Sequence, residues 1–189
     1  MIRLIDPRDH LTVPWKNGGG TATDYAVEHS ADGEVAWRIG TAEIVRDGPF
    51  SDYAGVTRVF TIIQGPGLFL DFPGEGTRSV APDRPTRFAG APAPFARLNG
   101  GPARAFNLLM RDDAFAGDVA ILRGRGGGET VEPAATVAIV VLDGVWQVAG
   151  PAGEARLTEG WTALVDATIG FVLEGTVNAR AAIVRLNPV

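Results

Sequence analysis

The side chains in this sequence that could do chemistry are mostly groups that recognise anions. Arg58 stands at the start of the β-branched run 59–63, and Arg38 follows Trp37 at the start of a second apolar segment. A guanidinium beside an apolar strand must reach water or meet an acceptor, because a buried unpaired charge is costly. Two guanidinium groups could hold a carboxylate through charge-assisted hydrogen bonds. Each arginine is therefore either a structural anchor or part of a binding site for a small anion.

Amide and aromatic side chains could complete such a site. Asn17 and Asn107 each offer hydrogen-bond donors and acceptors, and Trp15 or Phe50 could cover a planar ligand. Asn17 precedes three consecutive glycines at 18–20, whose backbone amides could form an anion-binding nest. The alternative is a glycine-rich loop with a tucked Trp15 and no ligand.

Patterns typical of catalytic and metal sites are missing from the sequence. There is no cysteine, His10 and His29 are the only histidines, and none of the three serines lies in a Gly-x-Ser-x-Gly elbow. Asp112 and Asp113 are adjacent, so on a strand they would point to opposite faces, which favours a solvated loop pair over an acid–base pair. We expect no catalytic residue, no metal and no cofactor.

Composition is that of a folded globular chain. The 189 residues are 46% apolar and 21% charged, and 25 glycines with 13 prolines indicate many turns. A net charge of −5 disfavours nucleic acid and anionic membranes as partners. No apolar run approaches the roughly 20 residues that span a bilayer, and the N-terminus lacks the apolar core of a signal peptide. We expect a cytoplasmic protein with a small-molecule partner; homodimerisation would cover open sheet edges.

Short strands must position the candidate residues. The strand predicted at 37–44 alternates, so that one face carries an arginine followed by smaller residues: Arg38, Gly40, Ala42 and Ile44. Small residues beside an arginine could leave space for a ligand. The alternative is that Arg38 pairs at the surface with Glu43 or Asp47.

The second half of the chain repeats the first. Three segments of the first half resemble segments of the second half at a roughly constant offset. Residues 59–72 resemble 137–148, residues 78–88 resemble 155–164, and residues 95–110 resemble 171–186. Such an offset is typical of an internal repeat. The glycine-rich segment 123–128 is interpreted as a linker. We therefore predict an all-β double jelly roll with lobes at 1–122 and 123–189, packed as one compact unit, and a site in the first lobe.

Four motifs lie between residues 15 and 111. They are Trp-Lys-Asn-Gly-Gly-Gly-Thr at 15–21, the Trp37-Arg38 strand with Ala42 and Ile44, Gly-Pro-Phe-Ser at 48–51 continuing to Gly55 and Arg58, and Phe106-Asn107 with Met110-Arg111. Together they resemble the HutD/Ves family of cupin-fold proteins, which is associated with bacterial histidine utilisation. The sequence departs from the family pattern at Ala105, often Asp, and at Gly40, often Ser. The resemblance implies a bicupin, two lobes of the RmlC-like double-stranded β-helix.

The resemblance also implies a function. It points to a modulator of histidine catabolism that binds a small carboxylate or imidazole-containing metabolite, of the urocanate, formiminoglutamate or formate class, without catalysis. The expected ligand-binding residues are Trp15, Asn17, Arg38, Phe50, Ser51, Arg58 and Asn107. Two alternatives stay open: a metal-independent cupin enzyme acting on a small carboxylate of the same pathway, and a structural or partner-binding cupin.

The metal-binding pattern of cupins does not fit this chain. It requires two histidines separated by one residue, a glutamate a few positions later and a further histidine. When this pattern is aligned with residues 48–65, the positions of the first three metal ligands are occupied by Ala54, Val56 and Phe60. We therefore predict a metal-free site in which Arg58 does the binding.

Overall fold

The structure, a computed structural model, describes residues 1–15 and 20–189 and confirms the predicted all-β class. A short 3-10 helix lies at Pro7–Asp9. No helix in the described part of the chain has the length and apolar character needed to cross a membrane. The strands in chain order are β1 (Ile2–Ile5), β2 (Leu11–Pro14), β3 (Gly20–His29), β4 (Val35–Ile44), β5 (Gly48–Pro49), β6 (Val56–Gln64), β7 (Leu68–Phe72), β8 (Gly76–Val80), β9 (Thr86–Ala89), β10 (Phe95–Leu98), β11 (Ala103–Arg111), β12 (Phe115–Arg123), β13 (Gly128–Val131), β14 (Ala134–Asp143), β15 (Val145–Gly150), β16 (Gly153–Thr158), β17 (Thr162–Ala167), β18 (Phe171–Gly175) and β19 (Arg180–Pro188).

The chain divides into a first unit, His10–Phe115, and a second unit formed by Met1–Asp9 with Ala116–Val189. These boundaries differ from those of the predicted lobes, 1–122 and 123–189. Residues 1–9 and 116–122, predicted in the first lobe, belong to the second unit. The first residues belong to the second unit because β1 pairs with β17. The boundary falls before β12 because that strand is hydrogen-bonded to β19.

The first unit is built from two antiparallel sheets. One has six strands in the order β2-β3-β4-β11-β6-β9, and the other has four in the order β5-β10-β7-β8. Alternate residues of each sheet enter one apolar core, which includes Phe60 and Ile62 from β6 and Leu68 and Leu70 from β7. The unit is therefore a sandwich. Burial alternates along β7, whereas the central strands β6 and β11 are buried at six consecutive positions each.

The second unit repeats this pairing scheme. In the first unit β6 pairs with β9 and β11, and β7 pairs with β8 and β10. In the second unit β14 pairs with β17 and β19, and β15 pairs with β16 and β18. The internal repeat predicted from the sequence is thus present in the order and pairing of the strands.

Side chains fill the interior of the second unit. Its core contains Trp146, Leu157 and Leu173, all almost fully buried. The Trp146 ring packs directly against Gly175, where a Cβ atom would lie 2.7 Å from the indole carbons. Glycine is required there because the ring occupies the space that any larger residue would need.

We expect Gly175→Ala to lower the free energy of unfolding by about 1–3 kcal/mol, because the added methyl group overpacks the Trp146 ring. Urea unfolding followed by tryptophan fluorescence measures the change. Gly127→Ala is the matched control, since a Cβ at Gly127 meets nothing within 4 Å. Equal stabilities of the two variants would contradict this account of the core.

Candidate functional site

A cavity of about 470 Å³ lies in the first unit. This volume is in the range of small-molecule sites, which run from about 300 to 1,000 Å³. The predicted ligand-binding residues that line it are Trp15, Arg38, Phe50, Ser51, Arg58 and Asn107. The remaining predicted residue, Asn17, lies outside the described residues. The structure therefore brings six of the predicted residues together, and their contact with a ligand stays a prediction.

One face of the six-stranded sheet forms the floor of the cavity. Gly40 of β4 stands opposite Asp24 of β3 on one side and opposite Asn107 of β11 on the other. The predicted alternation of β4 is confirmed: Arg38, Gly40 and Ala42 line the cavity, and Ile44 enters the apolar core. Gly40 and Ala42 add little side-chain volume to this face of the cavity.

Arg58 is the most deeply buried charge in the cavity wall. It is the third residue of β6, and only 8% of its surface is exposed. Its Nε donates a hydrogen bond of 2.8 Å to Asn107 Oδ1. Its guanidinium carbon lies 4.4 Å from the centre of the Phe50 ring and 5.5 Å from that of Phe60. The cation is thus held by one neutral acceptor and by aromatic faces, which attract cations electrostatically.

Burial shifts the protonation equilibrium of this guanidinium. It lowers the pKa of Arg58 to about 10; the nearby Tyr53 phenol opposes the shift, and the positive charge of Arg38 adds to it. Arg58 is still protonated at neutral pH. Among the described residues it has no carboxylate within ion-pairing distance, so the buried cation lacks a counter-charge there.

The alternative interpretation of Arg38, pairing with a nearby carboxylate, agrees with the structure, but the two partners named for it, Glu43 and Asp47, were wrong. Arg38 Nε lies 3.4 Å from Asp24 Oδ1, on the neighbouring strand. Glu43 pairs instead with Arg104 at 3.0 Å, and Asp47 accepts a hydrogen bond from a backbone amide. Glu43 lies five positions after Arg38 on β4, an odd step, so their side chains leave opposite faces of the sheet.

The loop after β5 places Phe50 over Arg58. The Phe50 amide donates to the Pro94 carbonyl at 3.0 Å, and the Tyr53 amide donates to the Gly90 carbonyl at 2.9 Å. The Trp15 ring stands edge-on to Phe50 with centroids 6.5 Å apart. Backbone hydrogen bonds therefore fix both ends of the short segment that carries the aromatic cover.

Asp24, Tyr53 and Leu109 also line the cavity, although the sequence analysis did not select them. Asp24 lies two positions after Ala22 on β3, so both side chains are on the face that lines the cavity. This period of two was the sequence signal that could have identified Asp24. Tyr53 lies within the loop already singled out, 48–55. The register between β3 and β4, which brings Asp24 beside Arg38, is not visible in the sequence.

The residues at the cupin metal positions have other places in the fold. Ala54 is exposed in a turn, Val56 begins β6, and Phe60 is fully buried in the core. The His10 ring packs on Tyr25 with centroids 4.5 Å apart, and His29 is exposed at the end of β3. Within residues 1–15 and 20–189, no group of three or more His, Cys, Asp or Glu side chains could hold a metal ion.

Repeated antiparallel sandwiches with a cavity on one sheet define a cupin-type β protein. The family model HutD matches residues 7–183, and the chain belongs to the HutD family. The resemblance of the four sequence motifs to this family is thereby confirmed.

Individual relatives agree with this assignment. An uncharacterised 21.2 kDa protein in the hutC 3′ region of Pseudomonas putida is 36% identical over 110 residues, and the match spans 57% of each chain. HutD from Pseudomonas fluorescens (formate condition) is 27% identical with a TM-score of 0.85, and both chains are fully covered. A conserved protein of unknown function from Pseudomonas aeruginosa PAO1 is 21% identical with a TM-score of 0.88, again over both whole chains, and it supports the fold alone.

We expect Asn107→Leu to lower the free energy of unfolding by about 2–3 kcal/mol, because it leaves the buried Nε of Arg58 without its acceptor. Combining it with Arg58→Met should restore stability to within about 1 kcal/mol of the parent, since both polar partners are then gone. Urea unfolding of the parent, the two single variants and the double variant measures the coupling free energy between Arg58 and Asn107. Additive losses would show that the Arg58–Asn107 hydrogen bond is not what holds the cation.

Proposed function

We propose that this protein binds a small carboxylate metabolite of the urocanate, formiminoglutamate or formate class in the first-unit cavity, and so modulates histidine utilisation without catalysing a reaction. The observation that carries the proposal is the buried Arg58 guanidinium, which lines the cavity without a carboxylate partner among the described residues. Membership of the HutD family and similarity to a protein of the hutC region support the link to histidine utilisation.

The geometry of Arg58 suits an end-on contact with a carboxylate. Its Nε is committed to Asn107, whereas no described residue accepts a hydrogen bond from its Nη groups. A guanidinium presents these donors in a fixed fork that matches two carboxylate oxygens. The ligand would supply the counter-charge that the cation lacks, and it would move the pKa of Arg58 back up toward its ordinary value.

The surroundings of Arg58 favour binding over chemistry. Phe50 and Leu109 line the cavity beside it, and such apolar cover strengthens a charge-assisted contact by limiting water. The titratable side chains among the described lining residues are Asp24, Arg38, Tyr53 and Arg58. His10 and His29 are not part of that lining. The Asp24 carboxylate is engaged by Arg38, with Oδ1 3.4 Å from the arginine Nε.

Calorimetry with urocanate, formiminoglutamate, histidine and formate tests the proposal. We expect binding in the micromolar to millimolar range for at least one carboxylate, and a weakening of about 10- to 100-fold in Arg58→Met, because a hydrogen bond to a charged group contributes about 1.5–3 kcal/mol. Arg78→Met is the matched control. Its guanidinium also lies 4.4 Å from an aromatic centroid, that of Phe72, but it is exposed and outside the cavity lining.

Three results would count against the proposal. Failure of all four compounds to bind would reject it, and an equal loss in Arg78→Met would place the binding elsewhere. Turnover of any compound, followed by NMR over a day, would favour the enzymatic alternative.

For the regulatory part, a chromosomal Arg58→Met replacement should alter growth on histidine as strongly as deletion of the gene does.

A further inference from the structure

We infer that Asp24 makes the cavity selective for amphoteric ligands, which carry one carboxylate and, several atoms away, an N–H donor such as that of an imidazole or amine. The inference rests on the proposed function, because it takes the carboxylate to be held by Arg58. It adds a second contact point and a specificity residue at the other end of the same cavity.

Asp24 is placed to receive a donor. It lines the cavity, and the 3.4 Å contact with Arg38 involves Oδ1. No described residue donates a hydrogen bond to its Oδ2, and an ionised carboxylate has about four lone-pair sites in all. The side chain is only partly exposed. A ligand N–H would therefore meet an acceptor that is ionised, oriented and partly shielded from water.

Gly40 gives this carboxylate its position. Asp24 and Gly40 stand opposite each other on β3 and β4. A Cβ at Gly40 would lie 3.2 Å from Asp24 Oδ1 and 2.4 Å from the carbonyl oxygen of Thr23. Any larger residue at position 40 would thus push β3 and the carboxylate away. The glycine at this position, where the motif comparison expected serine, is what lets Asp24 lie over the cavity floor.

The two contact points lie at a distance that suits a ring with a short acid chain. Asp24, Gly40 and Asn107 are opposite one another on the adjacent strands β3, β4 and β11. Neighbouring strands are about 4.8 Å apart, so the backbones of Asp24 and Asn107 are separated by about 10 Å. Arg58 Nε is bonded to Asn107. A ligand anchored at Arg58 can extend along this row toward Asp24, whereas formate is too short to reach it.

Charge limits the ligand to one carboxylate. The described lining contains two guanidinium groups, Arg58 and Arg38, and one carboxylate, Asp24. Because Asp24 stands beside Arg38, the uncompensated positive charge is that of Arg58. A second carboxylate at the far end of a ligand would approach Asp24 and be repelled. Dicarboxylates should therefore bind more weakly than monocarboxylates with an N–H donor.

The test compares two planar probes that differ in the donor: imidazole acrylate (urocanate) and furan acrylate, which has the same acid chain but no N–H. Calorimetry on the parent should give tighter binding of the imidazole compound by about tenfold or more. Asp24→Asn should reduce this preference, because a neutral amide oxygen is a weaker acceptor than a carboxylate, while furan acrylate binds as well as before or better. Asp24→Ala, which leaves no side-chain acceptor at this position, should abolish the preference and gives a second variant if Asp24→Asn does not fold.

The outcomes separate the inference from the function on which it rests. If both probes bind the parent equally, or if Asp24→Asn keeps the preference, the inference is overturned while carboxylate binding at Arg58 stands. If none of urocanate, formiminoglutamate, histidine and formate binds, the proposed function falls and the inference with it. The affinity for formate should be unaffected by Asp24→Asn and reduced by Arg58→Met. This result would support the assignment of the ligand carboxylate to Arg58 and of the N–H donor to Asp24.

Discussion

The site depends on keeping a cation inside a β-sandwich, with no carboxylate of residues 1–15 or 20–189 in ion-pairing distance. The Arg58 guanidinium is held there by the Asn107 amide and the Phe50 face. Neither partner is charged, so neither neutralises the arginine, and burial lowers its pKa without removing its proton at neutral pH. A carboxylate partner of its own would have made the same arginine a structural anchor, as Asp24 partly does for Arg38.

Comparison of the two units shows what separates a filled sandwich from one with a cavity. Counted back from the turn glycines Gly65 and Gly144, Arg58 corresponds to Val137, a fully buried core residue. The same strand pairing therefore supports an apolar interior in one unit and a charged cavity wall in the other. In the first unit glycine and alanine on β3 and β4 open the space, whereas in the second a tryptophan and leucines close it.

Local patterns in the sequence were sufficient to predict the class of fold, the repeat and which residues of β4 share the cavity-lining face. These depend on a period of two and on turn glycines, which act over a few residues. Residue chemistry and the family resemblance together predicted which side chains share one cavity: Trp15, Arg38, Phe50, Arg58 and Asn107. Long-range pairing could not be predicted: the register of β3 on β4 decides that Arg38 meets Asp24, and the pairing of β1 with β17 decides where the units divide.

The backbone hydrogen bonds that fix the loop carrying Phe50 bear on how quickly the protein could respond to its surroundings. Because the amides of Phe50 and Tyr53 are bonded to the carbonyls of Pro94 and Gly90, the position of the aromatic cover depends on contacts within the protein and not on contacts with a ligand. Such preorganisation removes the ordering step from binding. Occupancy would then follow the concentration of the ligand without a slow closure of the loop, and the equilibrium would be re-established as fast as molecules enter and leave.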